Sequence, residues 1–370
     1  MKQLLSKLVR CESTAAAGEL SAAQVIRDEF ARSGIETRID VWDENRANVS
    51  AWIEAPGDRD ALLFACHLDV VGPGEATWKH PPFSGIEADG RIHGRGSADM
   101  KGGITAVVTA IKQVVEAGTE LLGGIVFAAL AGEETDSCGA LRFIRDRGNL
   151  PELAGVIIPE PTNFDIVTAH RGMLWLELTT RGKTAHSSTP HLGVNAITSM
   201  RAVLDELAEY DSGVEPHELL GGCSMSINTI VGGKALNVVP DKCTIGIDFR
   251  TLPAQNHLDI VSGVREILAK LRSRDAQFDA DVTVLREVEP LETDNGCSFV
   301  RDLCSAVGID RTEAVGFTTD GPHFARLGVP VVIFGPGKSD LCHKPDEYID
   351  ICDVEKGVDY YRRIILKFLT

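Results

Sequence analysis

Hydrophobic residues recur along the chain in short continuous runs: Ala61–Cys66, Ile125–Leu130, Val156–Ile158 and Val331–Phe334. Runs of this length, apolar without alternation, predict strands covered on both faces. Between them lie stretches with helical periodicity, such as Lys101–Ala117 and Ser137–Arg147. Strand alternating with helix predicts an α/β fold on a doubly wound, largely parallel sheet. Nearer the start, Ser21-Ala22-Ala23-Gln24 reads as a capping box, followed by Val25, Ile26, Phe30 and Ser33 on one face and Gly34 as the stop. That pattern predicts a surface helix.

The middle of the chain changes period. It reads as strand (Leu174–Thr180), helix (Val194–Tyr210), strand (Ser224–Val231), strand (Cys243–Arg250), helix (Leu258–Arg272) and strand (Asp281–Leu285). The order β-α-β-β-α-β is the ferredoxin-like signature, so residues 173–288 are predicted to form an inserted α+β domain. Residues 1–172 and 289–370 then make one discontinuous domain. Along the first inserted strand Leu174, Leu176 and Leu178 alternate with Trp175, Glu177 and Thr179, which packs one face and leaves the other available. Open edges on such a unit commonly pair with a second copy, and a homodimer through this domain is expected.

Composition narrows the function classes. A chain of 370 residues exceeds the size at which one core usually stops growing, in keeping with two domains. The formal net charge of -17 and the lack of a Lys/Arg run exclude nucleic acid as the expected partner. Solubility alone accounts for such a charge, and a cationic or metal-bound substrate also fits it. Nine cysteines, at 11, 66, 138, 223, 243, 297, 304, 342 and 352, form an odd set without a CxxC pair, which points to a reducing compartment. The opening segment lacks the apolar core of a signal peptide, and no apolar run has the length of a membrane span, so a cytoplasmic protein is expected.

Five segments carry candidate chemistry. Leu63-Phe64-Ala65-Cys66-His67-Leu68-Asp69 is an apolar strand ending in a His with an Asp two residues on, at the strand end where open α/β sheets bind ligands. A His there is often structural, but the Asp suggests a partner fixing the tautomer of a metal-bound imidazole. Gly94-Arg95-Gly96-Ser97-Ala98-Asp99-Met100-Lys101-Gly102-Gly103 brackets one carboxylate with four glycines, without the spacing of a phosphate loop. Such a carboxylate can point its two oxygens at two cations. Glu133 and Glu134 follow the strand ending at Leu130; an acidic helix start is the plain reading, yet adjacent turn residues can also divide metal binding and general-base work between them. Glu160 lies between Pro159 and Pro161, and Gly335-Pro336-Gly337 leads to His343-Lys344-Pro345-Asp346-Glu347. Together these supply two His and three carboxylates, a complete donor set for two metals with positions left open.

The motifs His67-x-Asp69, Gly96-x-x-Asp99-x-Lys101-Gly102, Glu133-Glu134, Glu160-Pro161-Thr162 and His343-x-Pro345-Asp346-Glu347 resemble those of the zinc amidohydrolases that include acetylornithine deacetylase, succinyl-diaminopimelate desuccinylase and carboxypeptidase G. The match runs over almost the whole chain. The resemblance implies two Zn2+ ions, with Co2+ as a possible substitute. His67 and Glu160 would bind one, His343 and Glu134 the other, and Asp99 would bridge them. Asp69 would orient His67, and Glu133 would activate the bridging water. A cis peptide is implied at Asp99-Met100. In the inserted domain, His186 stands where the family places a His that reaches over the metals, often from the partner subunit, to stabilise the oxyanion. Asn237 and Arg250 match positions that bind the substrate's α-carboxylate, for which an Arg fork is suited; a strand-end Arg paired with Asp248 is the plainer reading of Arg250.

The activity implied is hydrolysis of the amide in a small N-acyl amino acid, nearest to acetylornithine deacetylase. A desuccinylase would need one more cation, for which Arg171 or Lys344 is available in the sequence. A dipeptidase or carboxypeptidase is the other enzymatic alternative, and a catalytically silent binding protein the non-enzymatic one. The presence of Glu133 argues against the last. Pro159 and Thr318-Thr319-Asp320-Gly321 depart in detail from the family pattern, which bears on the substrate pocket and not on the metal set.

Overall fold

The computed structural model describes residues 1–145, 150–211 and 213–370. The chain forms two compact units, one of Met1–Thr168, Thr293–Glu313 and Thr319–Thr370, the other of Ala169–Glu292 and Ala314–Thr318. The first opens on helices α1 (Lys2–Arg10) and α2 (Leu20–Ala31), followed by β1 (Thr37–Trp42), β2 (Arg46–Ile53), β3 (Arg59–His67), β4 (Ile86–Ala88) and β5 (Arg91–His93). Then come α3 (Gly102–Glu116), β6 (Gly123–Leu130), α4 (Cys138–Arg145), β7 (Leu153–Ile158) and β8 (Ile166–His170). In the second unit lie β9 (Gly172–Arg181), α5 (Ala196–Ala208), β10 (Ser224–Gly232), β11 (Lys242–Thr251), α6 (His257–Arg274) and β12 (Asp279–Val288). The chain ends with β13 (Leu291–Glu292), α7 (Ser298–Val307), β14 (Thr312–Val315), α8 (Gly321–Ala325), β15 (Val331–Ile333), β16 (Tyr348–Asp350) and α9 (Ile351–Leu369).

The fold is α/β with a largely parallel central sheet, as the sequence pattern predicts. In the first unit the strand order is β1-β2-β6-β3-β7-β15-β8. The heart of the sheet, β6, β3, β7 and β15, is parallel, while β1 and β2 on one side and β8 on the other join antiparallel. The parallel strands are the predicted apolar runs, and their continuity has the expected cause: Ala61–His67 and Ile125–Leu130 are buried throughout. Because these strands run the same way, β3, β6 and β7 deliver their carboxyl ends, His67, Leu130 and Ile158, to one edge of the sheet. Helix α3 packs on α9, each burying an apolar stripe.

Two local expectations are corrected. The capping box at Ser21 does not form: α2 starts at Leu20, two residues before the Ala22 that a Ser21 cap would give, and no side chain caps it. Glu19, at the cap position, is buried and pairs with Arg46 instead, an interaction that sequence spacing cannot reveal. The helix expected over Ser137–Arg147 is described as Cys138–Arg145, and Arg147 lies outside the described residues. The β1-β2 hairpin had no sequence signal of the usual kind, because its turn uses Asp43 and Glu44 at positive φ (45° and 62°) where glycine or asparagine is typical.

The second unit has the ferredoxin-like element order, with an antiparallel sheet ordered β10-β11-β9-β12. Leu174, Leu176 and Leu178 of β9 pack with Ile245 and Ile247 of β11 beneath Met200 and Val203 of α5 and Val264 and Leu268 of α6. Among the described residues no helix is long and apolar enough to cross a membrane.

Candidate metal centre

Three of the expected metal ligands come from the sheet edge or just beyond it, and a fourth, Asp99, from the turn that opens α3. His67 ends β3, Glu134 follows β6 by four residues, Glu160 follows β7 by two, and Asp99 sits in the turn Ser97–Lys101 that leads into α3. The fifth, His343, lies on the loop between β15 and β16 at a φ of 62°, a conformation that costs a non-glycine residue energy. Two glycines explain how the segments approach so closely. A Cβ on Gly103 would fall 2.1 Å from the Pro159 carbonyl oxygen, and one on Gly335 2.5 Å from those of Pro159 and Glu160. Only a residue without a side chain lets the start of α3 and the end of β15 close on the strap that presents Glu160.

The structure brings all five side chains together. Nε2 of His67 is 3.0 Å from Oδ1 of Asp99 and 3.3 Å from Oε1 of Glu160. Nε2 of His343 is 3.2 Å from Oδ2 of Asp99 and 3.0 Å from Oε1 of Glu134. Each oxygen of Asp99 thus faces a different imidazole. Among the described residues, His67, Asp99 and Glu134 place ligand atoms within 4.8 Å of one another. Two ligands of one tetrahedral zinc-class ion, each at about 2.0–2.1 Å, are separated by roughly 3.4 Å, close to the spacings seen here. The donor set, two imidazoles and three carboxylates around one shared carboxylate, fits a pair of such ions. The Asp99-Met100 peptide is cis, as the resemblance implies.

The electrostatics agree with that fit. Burial lifts the Glu160 carboxyl to about 7, with Asp99 and Glu134 adding to the shift against the opposing pull of His67. Glu133 is raised well above the ordinary carboxylate range by burial and by Asp320, Glu160 and Glu134, although His67 opposes this. Burial works against the charged form of His67, yet Glu160 and Asp99 outweigh it and push the imidazole well up. His343 rises to about 10 through its contacts with Asp99 and Glu134. A pocket with this much convergent negative charge requires cations or protons to be stable, and bound metal ions would meet that need directly.

Asp69 takes a different part from the one its position suggests. Its main-chain carbonyl, not its carboxylate, accepts from Nδ1 of His67 at 2.9 Å, while the carboxylate stands 3.7 Å from that nitrogen. Fixing Nδ1 in this way leaves Nε2 as the ligating nitrogen. The carboxylate accepts instead from the backbone N–H groups of Gly132, Glu133 and Glu134, at 2.9, 3.1 and 3.0 Å. One buried side chain therefore holds the turn that presents both glutamates. Asp320, at the start of α8, lines the same enclosed space as His67, Glu133 and Glu160. Sequence reasoning noted Asp320 only within a segment that departs from the family pattern and gave it no role in the site.

The remaining candidates belong to the second unit. His186 is on an exposed loop, its Nδ1 2.7 Å from the hydroxyl of Ser188. Beside it, the carbonyl of Asn237 accepts from the Ser187 N–H at 3.0 Å, and its neighbour Val238 bridges His186. Arg250 pairs with Asp248 at 3.1 Å, the plainer reading of that residue, and lies opposite Met173 at the other end of β9 from His186 and Asn237. Arg171 donates both ends of its fork to the carbonyls of Leu220 and Gly222, so it is not a ready cation for a succinyl group.

A parallel sheet with a two-metal donor set at its strand ends defines a metal-dependent hydrolase of the α/β class. Residues 63–367 match the model of Peptidase family M20/M25/M40, and the chain belongs to that family, one of metal-dependent deacylases and peptidases. It is 29% identical over 407 residues to the probable succinyl-diaminopimelate desuccinylase of Staphylococcus aureus strain N315, covering 99% of this chain and 97% of that protein. It is 28% identical over 343 residues to the acetylornithine deacetylase of Proteus mirabilis, covering 90% and 86%. The solved structure of aminopeptidase PepT from Bacillus cereus shares the fold, with a TM-score of 0.81 at 23% identity over 100% of this chain and 99% of that one.

Proposed function

We propose that this chain is a cytoplasmic, dimeric amidohydrolase that removes the acyl group from a small N-acyl amino acid. The observation that carries the reading is the shared carboxylate of Asp99, one oxygen facing His67, which also meets Glu160, and the other facing His343, which also meets Glu134. Zinc or cobalt ions held by these five residues would supply Lewis acidity and lower the pKa of water to near neutrality. Glu133, on the turn fixed by Asp69, takes the proton of the attacking water and hands it to the departing amine. His186 donates to the oxygen that becomes negative in the transition state. Arg250 and Asn237, at opposite ends of β9, receive the α-carboxylate of the substrate from different copies of the chain in the dimer.

The acetyl and succinyl readings have separate support. Motif wording in the loops leans to the acetylornithine deacetylase pattern, while the Staphylococcus relative that spans 99% of this chain bears the desuccinylase name. With Arg171 committed to backbone carbonyls, Lys344, exposed on the loop after His343, is the remaining cation of the two. The test is a panel of N-acetyl, N-succinyl and N-formyl amino acids with dipeptides, run on metal-free protein and after zinc or cobalt is restored. Release of free amino acid from an acylated substrate only in the metal-restored protein is expected. Activity that survives chelation, or that is confined to dipeptides with free amino termini, would overturn the proposal.

A further inference from the structure

The five ligands are supported unequally. His67 and Glu160 stand at the ends of buried parallel strands. His343 is on a loop, its side chain 52% exposed, with both it and Asp346 at left-handed φ. Pairing of β16 with β5, Tyr348 opposite His93, brings the end of that loop alongside the segment leading to Asp99, and side chains next to this pairing set how the two loops meet.

Arg95 and Glu347 occupy that place. Both are buried, and their side chains form an ion pair. Oε1 of Glu347 accepts from the backbone N–H of Ala98 at 2.9 Å and of Asp99 at 3.3 Å, so this carboxylate grips the turn that presents Asp99. Glu347 is four residues after His343, and its own carbonyl accepts from the Gly94 N–H at 2.9 Å. Arg95 completes the tie by donating Nη1 to the carbonyl of Lys344, the residue after His343, at 3.3 Å. The guanidinium lies 5.2 Å from the centre of the Trp78 ring, which covers it. The salt bridge and these backbone contacts, beside the β5–β16 pairing, fasten the two loops bearing Asp99 and His343 to each other.

We propose that Arg95 and Glu347 are a positioning pair for the ion position bounded by Asp99, Glu134 and His343. The inference rests on the two-metal reading above. The pair touches no ion itself. It fixes where Asp99 and His343 point, so its loss weakens this position, which depends on both, more than the one at His67 and Glu160, whose other ligands are anchored by β3 and β7. Outer-shell partners of metal ligands typically contribute about 10- to 100-fold to affinity.

The experiment is a Co2+ titration of metal-free wild type, E347Q and the double variant R95M/E347L against a competing chelator, with the melting temperature of each. Removing one member of a buried ion pair destabilises a fold, whereas replacing both with apolar residues is often neutral, so the double variant separates stability from positioning. Wild type is expected to take up two ions per chain. Both variants are expected to bind the second ion about 10- to 100-fold more weakly, with a clearly smaller loss at the first. If R95M/E347L melts like wild type and binds both ions with wild-type affinity, the pair is core packing and the inference is wrong. An equal loss at both positions overturns it as well. A wild type that takes up fewer than two ions sinks the two-metal reading, and this inference with it.

Discussion

At the scale of single residues, the chemistry turns on two adjacent glutamates assigned different work. Glu134 faces His343 across 3.0 Å, while Glu133 shares an enclosed space with His67, Glu160 and Asp320. Glu133→Gln preserves volume and the turn held by Asp69 but removes the proposed base. Turnover is expected to fall by about two to four orders of magnitude, with two metals per chain still found by elemental analysis. Loss of an ion instead would mean that the roles of Glu133 and Glu134 are exchanged. The candidate site was legible in sequence because each proposed ligand follows an apolar run or sits in a glycine-rich turn, and the structure brings these side chains together. Which atom does the work was not legible. Asp69 lies two residues from His67, so proximity assigned its carboxylate to the imidazole. The fold brings the 132–134 amides closer and gives them the carboxylate, leaving the main chain to fix the ring.

At the scale of elements, the strands and helices with strong periods were recovered, and those set by tertiary contact were not. The inserted β-α-β-β-α-β order follows from alternation in Leu174–Leu178 and from apolar stripes in α5 and α6, both local properties. The β1-β2 hairpin and the start of α2 depend on partners far away in sequence, as with Glu19 and Arg46. Strand β8 ends on a buried titratable residue. His170 is fully buried with Nδ1 2.8 Å from the Arg171 carbonyl, and burial lowers its pKa from 6.5 to about 4. Between these values the unfolded chain binds a proton that the folded chain refuses, so stability rises with pH across this window and is lost as pH falls through it. The full effect is on the order of 3 kcal/mol. Urea unfolding of wild type and His170→Gln between pH 4 and 7 checks this, since the variant should lack that part of the slope. Identical pH profiles would show that His170 does not set it.

At the scale of the whole molecule, β10 raises the question of a second copy of the chain. It is an edge strand exposed along nearly all its length, with Ile230 and Val231 at 59% and 73% exposure, and the loop after it carries the fully exposed Leu236. An apolar edge of this kind normally meets a partner. His186 is tied to the same loop through Val238 and Asn237, so a dimer formed here would bury surface next to that imidazole. Sedimentation at micromolar concentration is expected to give a dimer, and Ile230→Glu with Val231→Glu a folded monomer that still binds metal. If His186 serves the neighbouring copy, a defect in it and a defect in Glu133 lie in different chains of the same site. Co-expressed His186→Ala and Glu133→Gln chains should then recover activity that neither has alone. Random pairing makes half the dimers mixed, each with one complete site, so the mixture should reach about a quarter of the wild-type rate. No recovery from a mixture shown to contain mixed dimers would place His186 in the service of its own chain, and a wild-type monomer would remove the dimer altogether.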